Sequence, residues 1–158
     1  MAQAHQPFDP DQLVEIVGAH AGLEGPLLPI LHATQAAFGC VPDAAVLIIA
    51  GALNLTRAEV HGVVGFYHDF RTAPAGAHVL KLCRAEACQA AGGEALAAHA
   101  QTSLGAGFGQ TTADGGVTLE ATYCLGLCAC GPAAMLDGRV VGMLDPDKLD
   151  AAIDGLVR

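Results

Sequence analysis

Four cysteines in two close pairs are the residues of this chain most able to do chemistry. Cys83 and Cys88 have four residues between them. Cys124 and Cys128 have three residues between them, and 35 residues separate the two pairs. Two loops that each offer two thiolates can close around one metal centre. Tetrahedral zinc and an iron–sulfur cluster both accept four thiolates, and the spacing alone favours neither.

The residues around the cysteines favour an iron–sulfur cluster over zinc. Gly126 and Gly131 let the backbone approach a bound group closely, and glycine tolerates positive φ. Loops of this kind aim backbone N–H groups at sulfur and soften the negative charge of a cluster. Small apolar side chains limit the access of water, which helps to set the reduction potential. The candidates for this cover are Ala85, Ala87, Leu125, Leu127 and Ala129.

The simplest arrangement of a two-iron cluster gives each pair of cysteines one iron. Cys83 and Cys88 then bind the first iron, and Cys124 and Cys128 bind the second. Cys130 is close enough in sequence to compete as a ligand, although a packing role beside the cluster is the favoured interpretation. Such a cluster carries a charge of about −2 when oxidised and about −3 after accepting one electron. We therefore expect a low-potential one-electron carrier.

Composition excludes several classes of protein. A chain of 158 residues that is 53% hydrophobic can bury a core. A net charge of −9 argues against nucleic-acid binding, which requires a basic face. The N-terminus has no signal-peptide pattern, and the longest apolar run, 44–53, is too short to cross a bilayer. We therefore expect a soluble cytoplasmic protein without membrane insertion, in which spaced cysteines bind metal rather than pair. Cys40 is expected to be a buried hydrophobe.

The first part of the chain, residues 1–73, has the apolar spacing of short helices joined by short links. The predicted helices cover residues 11–20, 26–38 and 44–53, and a fourth follows Thr56. Thr56 and Glu59 have the spacing of a capping box at the start of the fourth helix. These helices predict a small antiparallel helical bundle. Phe66, Tyr67 and Phe70 are expected to pack in a core, with contact to a partner as the alternative.

The second part, residues 74–158, changes to an α/β pattern. The predicted order is a strand ending at Cys83, a helix, a strand ending at Cys124, a hairpin and a last helix. The helix covers 86–99. Asp137-Gly138 suits the two-residue turn of the hairpin. Both cysteine pairs follow strand ends, the edge where open α/β sheets place ligands. The fold class is therefore α+β, a helical bundle followed by an α/β domain.

These residues together resemble the thioredoxin-like [2Fe-2S] subunit found beside the flavin subunit of respiratory complex I, NAD-dependent formate dehydrogenases and NAD-linked hydrogenases. The aromatic run of that family appears as FYHDFRTAPAGAH at residues 66–78. Its second cysteine motif appears as CLGLC at 124–128, followed by GPAAM at 131–135. The ligands of the family's cluster map onto Cys83, Cys88, Cys124 and Cys128. Cys130 has no counterpart in the pattern.

The resemblance implies a thioredoxin-like [2Fe-2S] domain that docks onto an FMN- and NAD-binding flavoprotein subunit. The segment CRAEACQA at residues 83–90 looks most like the gamma subunit of soluble formate dehydrogenases. In such an enzyme a separate catalytic subunit with a molybdenum or tungsten cofactor oxidises formate, and the electrons end on NAD. FMN, NAD and the molybdenum or tungsten cofactor are thus expected in partner subunits. The sequence has no catalytic triad, phosphate loop or nucleotide fingerprint, so we expect no substrate site in this chain.

Three alternatives accompany this prediction. The chain could be the equivalent subunit of complex I or of an NAD-linked hydrogenase. It could instead be a zinc-stabilised interaction module. A thioredoxin-like thiol enzyme is the third alternative, although the chain lacks C-x-x-C after its first strand. Lys81 and Arg84, which flank Cys83, are expected to screen the cluster, to meet an acidic partner, or to face solvent.

Overall fold

The computed structural model describes residues 7–157, with side chains described through residue 155. The prediction that the chain begins without a signal peptide falls mostly on residues 1–6, which lie outside the described residues. Backbone contacts divide the chain into two compact units, one ending at Pro74 and one beginning at Ala75. None of the described helices is long and apolar enough to cross a bilayer.

The first unit consists of four helices. They are α1 (Pro10–His20), α2 (Leu27–Phe38), α3 (Asp43–Leu53) and α4 (Arg57–Phe66). The capping box at the start of α4 is confirmed, because the Glu59 N–H donates to the Thr56 hydroxyl at 3.2 Å and the Glu59 carboxylate accepts from the Thr56 N–H at 2.7 Å. Gly39 and Asn54 follow α2 and α3 with positive φ, which ends each helix in a left-handed cap.

The helices of this unit enclose one apolar core. Residues that are fully buried in it include Leu13, Ile30, Leu31, Ile49 and Val60. The prediction of core packing is right for Phe70, which is 8% exposed, and wrong for Phe66 and Tyr67, which are 73% and 43% exposed. Val60 and Val64 line the buried face of α4. Phe66 lies two residues beyond Val64, about 200° around the helix, and therefore faces outward.

The second unit is built on a five-stranded sheet. Its strands are β1 (His78–Cys83), β2 (Gln110–Thr111), β3 (Val117–Thr122), β4 (Ala134–Leu136) and β5 (Arg139–Val141). The spatial order is β2-β3-β1-β4-β5, with β1 and β3 parallel and the other neighbours antiparallel. The predicted α+β class is confirmed. β2 was not predicted, because two residues are too few to show an alternating pattern.

The helices of the second unit differ from the prediction beside the first cysteine pair. A helical turn α5 (Glu86–Cys88) continues into a π-helical segment (Gln89–Gly93) and then into α6 (Glu94–Leu104). The single helix predicted over 86–99 is wrong, because Gly92 has a φ of 96° and interrupts the helical backbone. Glycine adopts this conformation without a steric penalty. The last helix, α7 (Pro146–Val157), has the predicted extent.

The predicted hairpin turn between β4 and β5 is confirmed and is tied to β1. Asp137 and Gly138 have φ values of 46° and 86°, as a two-residue turn of type I′ requires. The Asp137 carboxylate accepts from the Val79 N–H at 2.8 Å and contacts His78 Nδ1 at 2.7 Å. Burial raises the pKa of Asp137, but the hydrogen bonds from His78 and Val79 outweigh burial and hold the pKa below its ordinary value.

We predict that Asp137→Asn destabilises the protein by about 1 kcal/mol at neutral pH, because asparagine tolerates positive φ but loses the charged acceptor. Since the pKa of Asp137 is lowered by folding, its contribution is present above the unfolded pKa and is lost as pH falls through the folded pKa. Chemical denaturation at several pH values should therefore show the difference from wild type shrinking in acid. Asp154→Asn, which removes an exposed carboxylate on α7, is the control. An equal difference at all pH values would contradict the prediction.

Candidate metal centre

The parallel pairing of β1 and β3 brings both cysteine pairs to one edge of the sheet. The register ends with Cys83 opposite Thr122. One residue later the Arg84 N–H still donates to the Thr122 carbonyl at 2.7 Å. Because parallel strands end on the same edge, the loop that begins at Cys124 starts beside the loop that follows Cys83.

The four predicted ligands lie together at this edge. Cys124 Sγ and Cys128 Sγ are 3.8 Å apart. The thiols of Cys83 and Cys88 also form a hydrogen bond with each other. The two pairs interact electrostatically, because charge on Cys83 acts on the thiol of Cys128. The structure thus gathers four sulfur atoms from two loops, two from each.

Backbone N–H groups surround the sulfur of Cys83. Burial raises the pKa of this thiol, but the N–H groups of Ala85, Cys124 and Leu125 and the Cys88 thiol donate to its sulfur. These hydrogen bonds outweigh burial and hold the pKa of Cys83 below its ordinary value. Two of the donors belong to the second loop, so that loop stabilises the thiolate of the first. This agrees with the expectation that these loops aim N–H groups at sulfur.

The other two shifted thiols resist losing their protons. Burial and the hydrogen bond with Cys83 raise the pKa of Cys88, against an opposing hydrogen bond from the Ala133 N–H. The hydrogen bond with Cys124, and the negative charge of that neighbour, raise the pKa of Cys128. Four thiolates crowded together repel one another unless positive charge lies among them. The site therefore suits a cationic centre, whose binding would release the protons.

The two pairs differ in their access to solvent. Cys83 and Cys88 are 5% and 2% exposed, whereas Cys124 and Cys128 are exposed. The buried pair packs with Ala133 in a small apolar cluster. Three residues of the predicted apolar cover pack against that cluster, namely Ala85, Leu125 and Leu127. The other two, Ala87 and Ala129, are exposed, so that part of the prediction is wrong.

Glycines allow the close packing behind the first pair. Gly126 has a φ of 78°, as expected for a residue that shapes the second loop. At Gly131 a Cβ would lie 3.5 Å from Cys88 Sγ, which is ordinary contact. The requirement is stronger at Gly93, where a Cβ would lie 2.6 Å from the Cys88 carbonyl oxygen. Sequence reasoning missed Gly93, although a Gly92-Gly93 pair inside an alanine-rich helical segment was a usable signal.

The charged neighbours of Cys83 are bound within the chain. Lys81 Nζ lies 3.3 Å from Glu120 Oε2. Arg84 donates to Glu94 Oε2 at 2.8 Å, and its guanidinium lies 5.0 Å from the centroid of the Phe108 ring. The expectation that these cations face solvent or an acidic partner is therefore wrong for their main contacts, because acidic side chains of the same unit neutralise them.

The remaining cysteines have different surroundings. Cys40 is 5% exposed, and burial raises its pKa, as expected of an inert hydrophobe. Cys130 is half-buried at the end of a 3₁₀ turn (Cys128–Cys130). Within residues 7–157, no three His, Cys, Asp or Glu side chains are grouped as ligands of a single metal ion. The four sulfurs instead form two pairs.

A family model described as thioredoxin-like [2Fe-2S] ferredoxin matches residues 13–157 of the chain. One of the NADH-quinone oxidoreductase subunits of Pseudomonas aeruginosa is 36% identical over 127 residues, which are 80% of this chain and 76% of that protein. The NADH-quinone oxidoreductase subunit of the same name from Mycobacterium bovis is 31% identical over 97% of this chain and 64% of its own length.

A solved structure is also similar. The crystal structure of an NAD⁺-reducing [NiFe]-hydrogenase in the air-oxidised state matches with a TM-score of 0.69 and 30% identity. The match covers 82% of this chain but 22% of the hydrogenase chain, so the present chain corresponds to a small part of that protein. The family resemblance predicted from the sequence motifs is confirmed by these matches.

The donor set fits the [2Fe-2S] cluster that this family implies. Such a cluster takes four thiolates, two on each iron, and the structure supplies sulfurs in two pairs. Backbone N–H groups directed at sulfur stabilise the negative charge that a cluster adds. The cluster, when bound, supplies one-electron chemistry, while this chain supplies ligands, N–H donors and apolar cover.

We predict that Gly93→Ala lowers the iron and sulfide content, because the new Cβ would displace the Cys88 backbone. The same clash should destabilise the protein by about 1–3 kcal/mol. Gly155→Ala on α7 is the control, since a Cβ there meets nothing within 4 Å. Iron and acid-labile sulfide per chain, with visible absorbance, give the measurement. Full loading of Gly93→Ala would show that the close packing against Cys88 is not needed.

Proposed function

The chain belongs to the thioredoxin-like [2Fe-2S] ferredoxin family, and from this premise we propose that it is an electron-transfer subunit of an NAD-linked oxidoreductase. The observation that carries the proposal is the meeting of two cysteine pairs at the ends of parallel strands β1 and β3. One pair is buried and the other is exposed. Such a site can hold a redox centre in an apolar environment and still bring it to the protein surface.

The proposed ligands are Cys83 and Cys88 on one iron and Cys124 and Cys128 on the other. The hydrogen bond between Cys83 and Cys88 and the 3.8 Å separation of Cys124 Sγ and Cys128 Sγ support this pairing. Cys130 is excluded from the proposed set, because its backbone is engaged elsewhere. Its N–H donates to the Leu127 carbonyl and its own carbonyl accepts from Met143.

A zinc-stabilised interaction module is the competing proposal. Tetrahedral zinc places all four sulfurs about 3.8 Å from one another, because each Zn–S bond is about 2.3 Å. The distance between Cys124 Sγ and Cys128 Sγ suits either centre. The lack of any group of three potential ligands among the described side chains favours two irons over one ion. The family's cluster supports the same choice.

The proposed parent enzyme is an NAD-dependent formate dehydrogenase in the cytoplasm. In this proposal the chain exchanges electrons with an FMN- and NAD-binding flavoprotein subunit, and a separate subunit with a molybdenum or tungsten cofactor oxidises formate. The segment CRAEACQA at 83–90 supports this choice. The names of the relatives favour NADH-quinone oxidoreductase or an NAD-reducing hydrogenase as the second candidate. The chain itself contributes electron transfer and no substrate site.

We predict that Cys88→Ser or Cys124→Ser abolishes or severely disturbs the cluster, whereas Cys130→Ser leaves it formed. Serine removes one thiolate ligand and offers a poorer one for iron. Iron and sulfide analysis, together with EPR spectra of the reduced proteins, separates these outcomes. An intact EPR signal in Cys124→Ser would refute the ligand assignment. A colourless wild-type protein with one zinc and no sulfide after anaerobic purification would support the zinc module.

We predict that the affinity-tagged chain, purified anaerobically from its native host, brings with it a flavoprotein and formate-dependent NAD⁺ reduction. The same preparation should be assayed with NADH and a quinone and with H₂ and NAD⁺, since these reactions belong to the other candidate enzymes. A preparation without tag on the chain is the control for background activity. Activity with a quinone or with H₂, and none with formate, would replace formate dehydrogenase with the corresponding candidate.

A further inference from the structure

The loop that carries the exposed cysteine pair has no charged side chain over sixteen residues. No Asp, Glu, Lys, Arg or His occurs from residue 121 to residue 136, in a chain with a net charge of −9. Six of the first nine residues of this run are exposed. Depletion of charge is typical of the centre of protein–protein interfaces, where tyrosine and methionine are enriched.

Tyr123 adds a large exposed side chain to this loop. It lies immediately before Cys124 and immediately after β3, and it is 76% exposed. A tyrosine combines an apolar ring with a hydroxyl group, and few rotatable bonds are lost when it becomes buried. Its position therefore suits an anchor that a partner protein covers.

Met143 supplies a second apolar side chain beside the same loop. Its N–H donates to the Cys130 carbonyl at 2.6 Å, and its own carbonyl accepts from Lys148 Nζ at 2.9 Å. Its φ of 55° lies in the left-handed region, which methionine rarely adopts. These hydrogen bonds hold the backbone in that conformation, and the side chain remains 67% exposed.

The approach of this segment to the cysteine loop is close. At Gly142 a Cβ would lie 2.7 Å from the Cys130 carbonyl oxygen and 3.1 Å from Cys130 Cβ. The Leu144 N–H also donates to the Pro132 carbonyl at 3.1 Å. Residues 142–144 therefore lie against the end of the loop that contains Cys128, and Met143 belongs to the same surface as the exposed pair.

We propose that residues 121–132, together with Met143, form the docking surface for the redox partner of this chain. This inference rests on the proposed function, and the partner is its FMN- and NAD-binding flavoprotein subunit. Electron transfer slows steeply with distance, so the partner must approach the exposed pair, Cys124 and Cys128, rather than the buried pair. The docking surface is the uncharged face that this approach requires.

The charges around this surface specify the chemistry of the partner's face. Glu86, between the first two cysteines, and Asp147, near the start of α7, are exposed carboxylates of the same unit. The matching face of the flavoprotein is therefore apolar at its centre and basic at its rim. The apolar centre provides affinity, whereas the basic rim increases the association rate in a salt-dependent way.

The test uses the iron-loaded protein and the flavoprotein that co-purifies with it and oxidises NADH, each purified separately. Binding is measured by surface plasmon resonance, and electron transfer by the NADH-driven bleaching of the iron–sulfur absorbance. We expect Tyr123→Glu and Met143→Glu each to weaken binding roughly 10- to 100-fold at unchanged iron content. Tyr123→Phe and Met143→Leu should stay within about twofold of wild type, since they keep the apolar surface.

Ala113→Glu is the matched control, because it adds the same charge to an exposed residue in the turn before β3, at the opposite end of that strand. Equal weakening by Ala113→Glu would assign the effect to net charge and overturn the docking surface. Wild-type affinity in both glutamate variants, with NADH-driven bleaching intact, would overturn the docking surface but leave the proposed function standing. Failure of wild type to bind or to bleach would overturn both.

Tyr123→Ser and Met143→Gln replace any glutamate variant that loses iron. These uncharged polar side chains remove the apolar contacts without adding a charge close to the cysteines. We expect each to weaken binding by roughly fivefold or more at wild-type iron content. Binding by both at wild-type affinity would contradict the docking surface as directly as an unaffected glutamate variant.

Discussion

The parallel pairing of β1 with β3 is the constraint on which the metal centre depends. The register runs from His78 opposite Val117 to Cys83 opposite Thr122, and it carries both chain segments to one edge of the sheet. A slip of one residue would turn the side chains of a strand to the opposite face. The register is held by burial, because Leu80 and Leu119 pair across the strands and are fully buried. An apolar sheet core thus determines the positions of the thiols.

Backbone groups, rather than charged side chains, shape the electrostatics of this centre. Lys81 and Arg84 are the nearest cations in sequence, and Glu120 and Glu94 neutralise them. The N–H groups around Cys83 remain as donors at the sulfur. Backbone dipoles are fixed by the fold and cost no reorganisation when the charge of the centre changes. A one-electron carrier benefits from such an environment, because small reorganisation accompanies fast electron transfer.

Features set by local sequence could be predicted, whereas features set by tertiary packing could not. The capping box of α4 and the Asp137-Gly138 turn depend on residues close in sequence, and their chemistry is visible there. The meeting of the cysteine pairs was predictable because strand ends and motif spacing both indicate it. The exposure of Phe66 was not, since aromatic residues look alike in sequence whether a helix face is buried or open. The packing of Gly93 against Cys88 depends on a helical distortion that periodicity does not reveal.

The contrast between the two cysteine pairs connects the fold with the docking surface. A centre buried on all sides would be protected from water and oxidants, but it would be far from any partner. Here Cys83 and Cys88 lie under apolar cover, whereas Cys124 and Cys128 open onto an uncharged loop. An exposed iron–sulfur centre is vulnerable to solvent, and solvent access also shifts its potential. A partner seated over Tyr123 and Met143 would exclude water from the exposed pair. On this proposal, protection of the centre and electron exchange require the same contact.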